Sequence, residues 1–269
     1  MKGKRGWGRT ERDSPDEDAS GQPLLIWGIH AATAALANPG RPILEMWATD
    51  NAALRLADGI AARGVQPERV SPKDLDRRLG PDTVHQGVLI EVGALPEHEV
   101  AALAEQIVER GPLVVLDQVT DPHNVGAILR SAAVFGSAGI VMTRRHSPPL
   151  ASALAKAASG ALEAVPVALV QNLARALDEL KSAGVIVVGL DGTAETLLDE
   201  ELLDTRLAGR AVALVLGAEG RGLRQLTAQM CDRMCRIGGD GPIGSLNVSN
   251  AAAVALHLGA MARRHLKSK

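Results

Sequence analysis

Three short blocks combine residue types that could hold a ligand and act on it. They are Asp121-Pro122-His123-Asn124-Val125-Gly126-Ala127-Ile128-Leu129-Arg130, Leu216-Gly217-Ala218-Glu219-Gly220-Arg221-Gly222 and Gly244-Ser245-Leu246-Asn247-Val248-Ser249-Asn250-Ala251-Ala252. Each joins an apolar, strand-like run to a Gly- or Asn-marked turn and an Ala-rich helical stretch. An α/β protein uses that junction to present backbone amides and a few polar side chains to a ligand at its strand ends. Asn124 stands where a helix N-cap belongs, ahead of an Ala/Val/Ile helix. Arg130 follows six residues later, so the two side chains need not share a face. In the second block the glycines permit positive φ and close backbone approach to a bound group, and Glu219 can bond backbone amides or a ligand. Taken singly, the blocks also fit a capped helix carrying a surface arginine and a tight turn with a solvated glutamate. Their order, at the spacing of one α/β domain, favours a site.

A misleading pattern precedes the third block. Gly239-Asp240-Gly241-Pro242-Ile243-Gly244 fits G-x-G-x-x-G and leads into a helix, like a dinucleotide fingerprint. That fingerprint also needs a later strand with an acidic residue about 20 positions on, and no Asp or Glu follows Asp240. These glycines are expected to shape a loop beneath a ligand, ahead of Ser245 and Asn247. The chain has no G-x-S-x-G elbow, no Walker loop and no H-E-x-x-H, which removes the commonest hydrolase, nucleotide-phosphate and zinc-protease readings. Cys231 and Cys235 are the only cysteines, and no nearby His pair completes a zinc tetrad. They read as reduced thiols of a cytoplasmic protein, and no metal is expected.

The elements that must position these blocks fall into two units. The first, residues 24–93, reads as a small α/β module: strand Leu24–Trp27, helix Ile29–Leu36, strand Ile43–Thr49, helix Ala52–Arg63 and strand Gly87–Val92. Residues 94–111 read as a linker, with Val100, Leu103, Ala104 and Ile107 spaced for one helical face. In residues 112–269, apolar runs at Leu113–Leu116, Ile140–Met142, Val185–Val188 and Val212–Leu216 lack period-two alternation, as parallel strands buried on both faces should. Helices are expected over Val125–Phe135, Leu150–Ala158, Leu173–Ser182 and Val248–Leu266. The β-α alternation argues for a parallel sheet covered by helices. Residues 1–23 are charge-mixed without an apolar core, and read as a disordered tail rather than a signal peptide.

Composition bounds the partners. Hydrophobic content of 46% suffices for a packed core. The longest nearly uncharged apolar stretch, Asn250 to Met261, is too short to span a bilayer. A net charge of −2 gives no generic polyanion binder, so any nucleic-acid surface must be a local patch. Arg144, Arg145 and His146 after one expected strand, and Arg221 and Arg224 after the glycine turn, are candidates, because phosphate contacts need only a few placed cations. With one Phe and no Tyr, base stacking on an aromatic sheet surface is not expected.

The three blocks, in order, resemble the motifs of the SpoU (TrmH) family of RNA ribose 2′-O-methyltransferases, within the SPOUT class. The similarity is greatest to its 23S rRNA guanosine-specific members and covers the chain after the tail. Asn124 to Arg130 looks like the first motif, Leu216 to Gly220 the second and Ser245 to Ser249 the third. Gly28-Ile29-His30-Ala31 and His85-Gln86-Gly87 are similar to the L30e-like substrate-binding domain of this subgroup. The resemblance implies a deep trefoil knot, S-adenosyl-L-methionine as cofactor, 23S rRNA as partner and a homodimer. It implies Arg130 as catalytic arginine, with Asn124, Glu219, Ser245 and Asn247 supporting the site. Gly217, Ile237, Leu246, Leu190 and Gly192 are implied to contact the cofactor. Where the family commonly has Ile-Pro before the third motif, this chain has Ile237-Gly238-Gly239, so that loop is expected to be freer. A tRNA ribose methyltransferase and a non-catalytic RNA-binding protein on the same fold are the alternatives.

Overall fold

The computed structural model describes residues 24–203, 207, 209–239, 241 and 244–267. The expected tail, residues 1–23, lies outside the described residues. The chain first forms β1 (Leu24–Trp27), α1 (Ile29–Ala37), β2 (Ile43–Ala48), α2 (Asp50–Arg55), α3 (Ala57–Arg63), β3 (Glu68–Arg69), α4 (Pro72–Leu79) and β4 (Val88–Val92). These make a four-stranded sheet, β1-β4-β2-β3, in which β4 is antiparallel to β1 and β2, and β2 is parallel to β3. The single helix expected over Ala52–Arg63 is divided at Leu56, whose ψ of 8° is not helical. Helix α4 was not anticipated because it buries only Leu75 and so carries little apolar periodicity. Its signal lies in its start, where Ser71 N donates to Asp74 Oδ2 at 2.9 Å and Pro72 begins the helix.

After α5 (Val100–Glu105) and α6 (Ile107–Arg110) come β5 (Leu113–Asp117), α7 (Pro122–Phe135), β6 (Ile140–Thr143) and α8 (Ser152–Ala158). A 3-10 turn at Ala161–Glu163 leads to β7 (Val167–Val170), α9 (Leu173–Ser182), β8 (Ile186–Leu190), β9 (Thr196–Leu197) and α10 (Leu198–Leu203). The chain ends with β10 (Val212–Gly217), α11 (Gln225–Met230), β11 (Arg233–Arg236) and α12 (Val248–Lys267). The seven strands run β7-β6-β5-β10-β8-β11-β9, and every pairing is parallel. The strands anticipated from uninterrupted apolar runs occupy its centre. β11 escaped notice because its sequence, Arg-Met-Cys-Arg, buries only Cys235 fully.

Residues 94–111, expected as a linker, carry α5 and α6. Val100, Leu103, Ala104 and Ile107 are buried in the core that also holds Leu113 and Val115 of β5, Ala213 and Val215 of β10, and Leu173, Leu177 and Leu180 of α9. The two sheets are also joined directly. α8 packs on β1 and α1, and one apolar cluster includes Ile26, Ala31 and Ala35 together with Leu154, Ala158 and Leu162.

Asp121, not Asn124, caps α7. Its carboxylate accepts from His123 N at 3.0 Å, and Pro122 takes the first helical turn. The Asp-Pro step decides this, because proline suits the position just inside a helix start. Asn124 therefore lies inside the first turn, with its amide available to other elements. Gly126 sets how closely α7 and α8 cross, since a Cβ there would lie 2.5 Å from Ala157 Cβ and 2.8 Å from Ala158 N. Replacement Gly126→Ala is expected to destabilise the fold by about 1–3 kcal/mol through overpacking, read as a lowered urea midpoint; an unchanged midpoint would refute the close crossing.

Among the described residues no helix is long and apolar enough to cross a membrane. Cys235 is buried and Cys231 half-buried. Burial pushes the Cys231 thiol up to about 12 and the Cys235 thiol up to about 11. Because these folded values exceed the ordinary thiol value, the associated stability is present below that value and is lost as pH rises toward 11 and 12. At pH 8 iodoacetamide should therefore alkylate the native protein far more slowly than the urea-unfolded chain, since the thiolate is the nucleophile. Equal rates in the two states would contradict the burial.

Candidate active site

Parallel pairing brings the C-terminal ends of β5, β10, β8 and β11 to one edge of the sheet. Gly217 lies opposite Asp117, Val215 opposite Gly189, and Cys235 opposite Leu190. The three polar blocks meet at this edge. Asn124 Nδ2 donates to Glu219 Oε1 at 3.0 Å. Asn247 Nδ2 donates to Asn124 Oδ1 at 3.2 Å and also to Glu219 Oε1. Asn247 Oδ1 in turn accepts from Ser249 N at 2.8 Å and Ser249 Oγ at 2.6 Å, which caps the start of α12. Segments 95 and 123 positions apart are thus tied through one carboxylate and two amides.

The loop carrying Glu219 is held at both ends. A Cβ on Gly217 would lie 2.1 Å from the carbonyl carbon of Gly222, so only glycine permits the turn to fold back this tightly. Gly222 N donates to Ala218 O at 2.9 Å, with φ of 75° at Gly220 and 63° at Gly222. Asp117, fully buried at the end of β5, accepts from Arg224 N at 3.0 Å and Arg224 Nε at 2.6 Å. The loop therefore leaves the sheet beside Asp117 and returns to the same carboxylate. Sequence reasoning passed over Asp117. Its signal was an acidic residue closing a wholly apolar strand, which demands a buried partner.

The remaining sequence candidates are distributed as follows. Leu190 and Ile237 are half-buried at the ends of adjacent strands β8 and β11. A Cβ on Gly192 would lie 2.7 Å from Gly244 O, so the loop after β8 touches the segment before α12. In that loop Asp191 accepts from Thr193 N at 2.8 Å and Thr193 Oγ1 at 2.7 Å. These bonds hold its carboxyl below the usual carboxylate range. Ser245 and Leu246 are exposed, next to the hydrogen-bonded triangle in sequence.

Arg130 is not brought to the triangle. It is exposed, and has no hydrogen bond or ion pair among the described residues. Six positions beyond Asn124 place it roughly 9 Å along α7 and roughly 240° around it. It shares a face with Val134, four residues on, which is 76% exposed. Of the candidate basic residues, Arg144 pairs with Glu97 at 2.7 Å and Arg224 with Asp117, while Arg145, His146 and Arg221 are exposed. In the first sheet, Gln86 Oε1 accepts from Ile29 N at 2.9 Å, and Gly87 N donates to His85 Nδ1 at 3.0 Å. The motifs Gly28 to Ala31 and His85 to Gly87 are thereby joined. Among the described residues no cluster of His, Cys, Asp or Glu is arranged to hold a metal.

Residues 111–257 match the model of the SpoU rRNA Methylase family, and residues 25–98 that of RNA 2′-O ribose methyltransferase substrate binding domains. The chain is 41% identical over 238 residues to the 23S rRNA (guanosine-2′-O-)-methyltransferase RlmB of a Burkholderia species, covering 86% of this chain and 94% of that protein. It is 38% identical to the RlmB of Shewanella oneidensis, covering 89% and 98%. The solved structure of the SpoU methyltransferase AviRb from Streptomyces viridochromogenes in complex with AdoMet shares the fold. Its TM-score is 0.71 at 24% identity, over 91% of this chain and 90% of that one. With the domain model spanning more than half its length and relatives at this identity over most of it, the chain belongs to the SpoU rRNA methylase family.

Proposed function

We propose that this chain transfers a methyl group from S-adenosyl-L-methionine to the ribose 2′-hydroxyl of a guanosine in 23S ribosomal RNA. The observation that carries the reading is the convergence of all three motif blocks on the hydrogen-bonded group Asn124, Glu219 and Asn247 at the C-terminal sheet edge. Ligands of open α/β sheets bind at that edge. Members at about this identity are named for that reaction.

The cofactor supplies an electrophilic methyl group on a sulfonium. The residues present suit such a ligand: Gly217 and Gly192 let the loops close tightly at the sheet edge, while Leu190, Ile237 and Leu246 would offer apolar walls. Asn124, Glu219 and Asn247 hold the second and third motif loops in register, and Ser245 extends the same polar rim. The close approach of the loop after β8 to Gly244 supports a C-terminal segment threaded as a deep trefoil knot. Residues 24–93 act as the L30e-like RNA-binding module, residues 94–111 connect it, and residues 112–269 form the SPOUT domain.

Arg130 is the catalytic residue of this reading. A guanidinium keeps its proton throughout the ordinary pH range, so it does not begin as a base. It would stabilise the alkoxide-like 2′-oxygen and grip the neighbouring phosphate through its planar fork, while that phosphate would take the hydroxyl proton and pass it to water. Alignment of the two reactants contributes on the order of 7–11 kcal/mol in well-oriented systems. Arg145, His146 and Arg221 add a local phosphate-binding patch. A homodimer is supported by the exposed Val134 on α7 and the exposed Val254 and Met261 on α12, helices that pack on one another. The enzyme works in the cytoplasm without a metal.

Mapping of 2′-O-methylation in 23S rRNA from cells lacking this gene tests the reading, and one guanosine should lose its methyl group. An unchanged methylation map would refute it. Arg130→Ala is expected to lower turnover by at least about 10²-fold while cofactor affinity, measured by calorimetry, changes by less than about twofold. Lost cofactor binding with preserved single-turnover chemistry would overturn the role given to Arg130.

A further inference from the structure

Arg41 leads into β2 in the first sheet, yet its side chain is fully buried and most of its partners lie elsewhere. Nε donates to Glu163 Oε1 at 3.0 Å and Oε2 at 3.2 Å, and Nη2 to Glu163 Oε1 at 2.8 Å. Nη2 also donates to Leu150 O at 3.1 Å, and Nη1 to Gly93 O at 3.0 Å. Asn38 Nδ2 donates to Glu163 Oε2 at 2.8 Å. Arg63 Nη1 and Nη2 donate to the carbonyls of Asn38 and Arg41 at 2.7 Å and 2.5 Å, which fixes that loop from behind. Glu163 ends the 3-10 turn after α8, and Leu150 precedes α8. One guanidinium therefore spans the end of the first sheet and two segments of the seven-stranded domain.

Around it the modules touch closely. A Cβ on Gly160 would lie 3.0 Å from Ala34 Cβ, and α5 and α6 are packed into the second core rather than free. A buried pair in which each guanidinium nitrogen donates at least one hydrogen bond is strongly disfavoured from opening, because opening leaves an uncompensated buried charge.

We infer that Arg41 and Glu163 are positioning residues that lock the RNA-binding module and the catalytic domain into one rigid body. The RNA is then recognised across a fixed span between the first module and the sheet edge, instead of by a module swinging on a linker. This rests on the proposed function for the identity of the RNA but not for the lock itself. A misplacement of about 1 Å between substrate and reacting groups can cost about 10²-fold, so a fixed span matters to the reaction.

The test uses the full chain with spin labels on Leu54→Cys and Glu179→Cys, both at exposed positions. A control carrying only the native thiols, buried Cys235 and half-buried Cys231, sets the background labelling to subtract. With labelled subunits diluted in unlabelled ones, double electron–electron resonance should give a single narrow distance, unchanged by a 23S rRNA fragment. Glu163→Ala should broaden it, Glu163→Gln should broaden it less, and KM for the RNA should rise about tenfold for Glu163→Ala while cofactor affinity stays within about twofold. A broad distance in the unsubstituted protein overturns the lock. So does a narrow distance in Glu163→Ala. A KM that rises no more than the cofactor Kd overturns the positioning role. Absence of any RNA methylation by the unsubstituted protein would instead count against the proposed function, while the distance measurement still decides the lock.

Discussion

A single oxygen, Glu219 Oε1, accepts amide hydrogens from Asn124 and Asn247, and the candidate site is organised around it. The three residues come from the start of α7, the loop after β10 and the start of α12, so no one of these segments can move without disturbing the others. Hydrogen bonds to an ionised acceptor are roughly twice as strong as neutral ones. The amide is suited to this place because it donates and accepts at once: Asn247 gives its hydrogens to the carboxylate and Asn124, and uses its oxygen to cap α12 through Ser249. Glu219 is itself placed by a second carboxylate. Asp117 holds both ends of its loop, one through the neighbouring strand position Gly217 and the other through Arg224.

This arrangement separates framing from chemistry. Glu219 is the conspicuous acid of the site, yet one of its oxygens is already engaged by two amides, which suits a structural anchor better than a proton acceptor. Arg130 stands apart on the solvent face of α7, in a position to meet something arriving from outside the subunit. The glycines do a third job. Gly217 and Gly192 sit where any side chain would strike backbone at 2.1 Å and 2.7 Å, so these loops can close over one another only with glycine there.

Much of this was legible in the sequence, for identifiable reasons. The central strands announced themselves because burial on both faces requires apolar runs, as in Leu113–Leu116 and Val212–Leu216. The motif blocks announced themselves because turns, caps and close approaches use few residue types. β7, Val167–Val170, escaped although it is an apolar run, and other misses were elements whose residues serve partners rather than a pattern. β11 is half polar because only Cys235 reaches the core. α4 is polar because only Leu75 does. Asn124 was misassigned as a cap since its type fits, whereas Asp121 with Pro122 fits better and leaves Asn124 for Glu219. The contacts of Asp117 with Arg224, and of Arg41 with Glu163, span 107 and 122 positions, and no local reading could pair them.

The near-neutral charge of an RNA-directed protein also finds its explanation in these pairs. The chain carries 29 Lys and Arg against 31 Asp and Glu, which argues against a broad electrostatic surface. Some of its cations are ion-paired: Arg41 with Glu163 in the interior, and Arg224 with Asp117, Arg144 with Glu97, Arg69 with Asp50 and Lys181 with Asp232 nearer the surface. Arg130, Arg145 and Arg221 have no such partner among the described residues. An interface built from so few free cations releases few counterions, and each contributes only about 0.7–0.9 to the logarithmic salt dependence. Specificity must then come from where those cations stand relative to one another, which makes rigid placement by the sheet edge and the domain seam the decisive property of this fold.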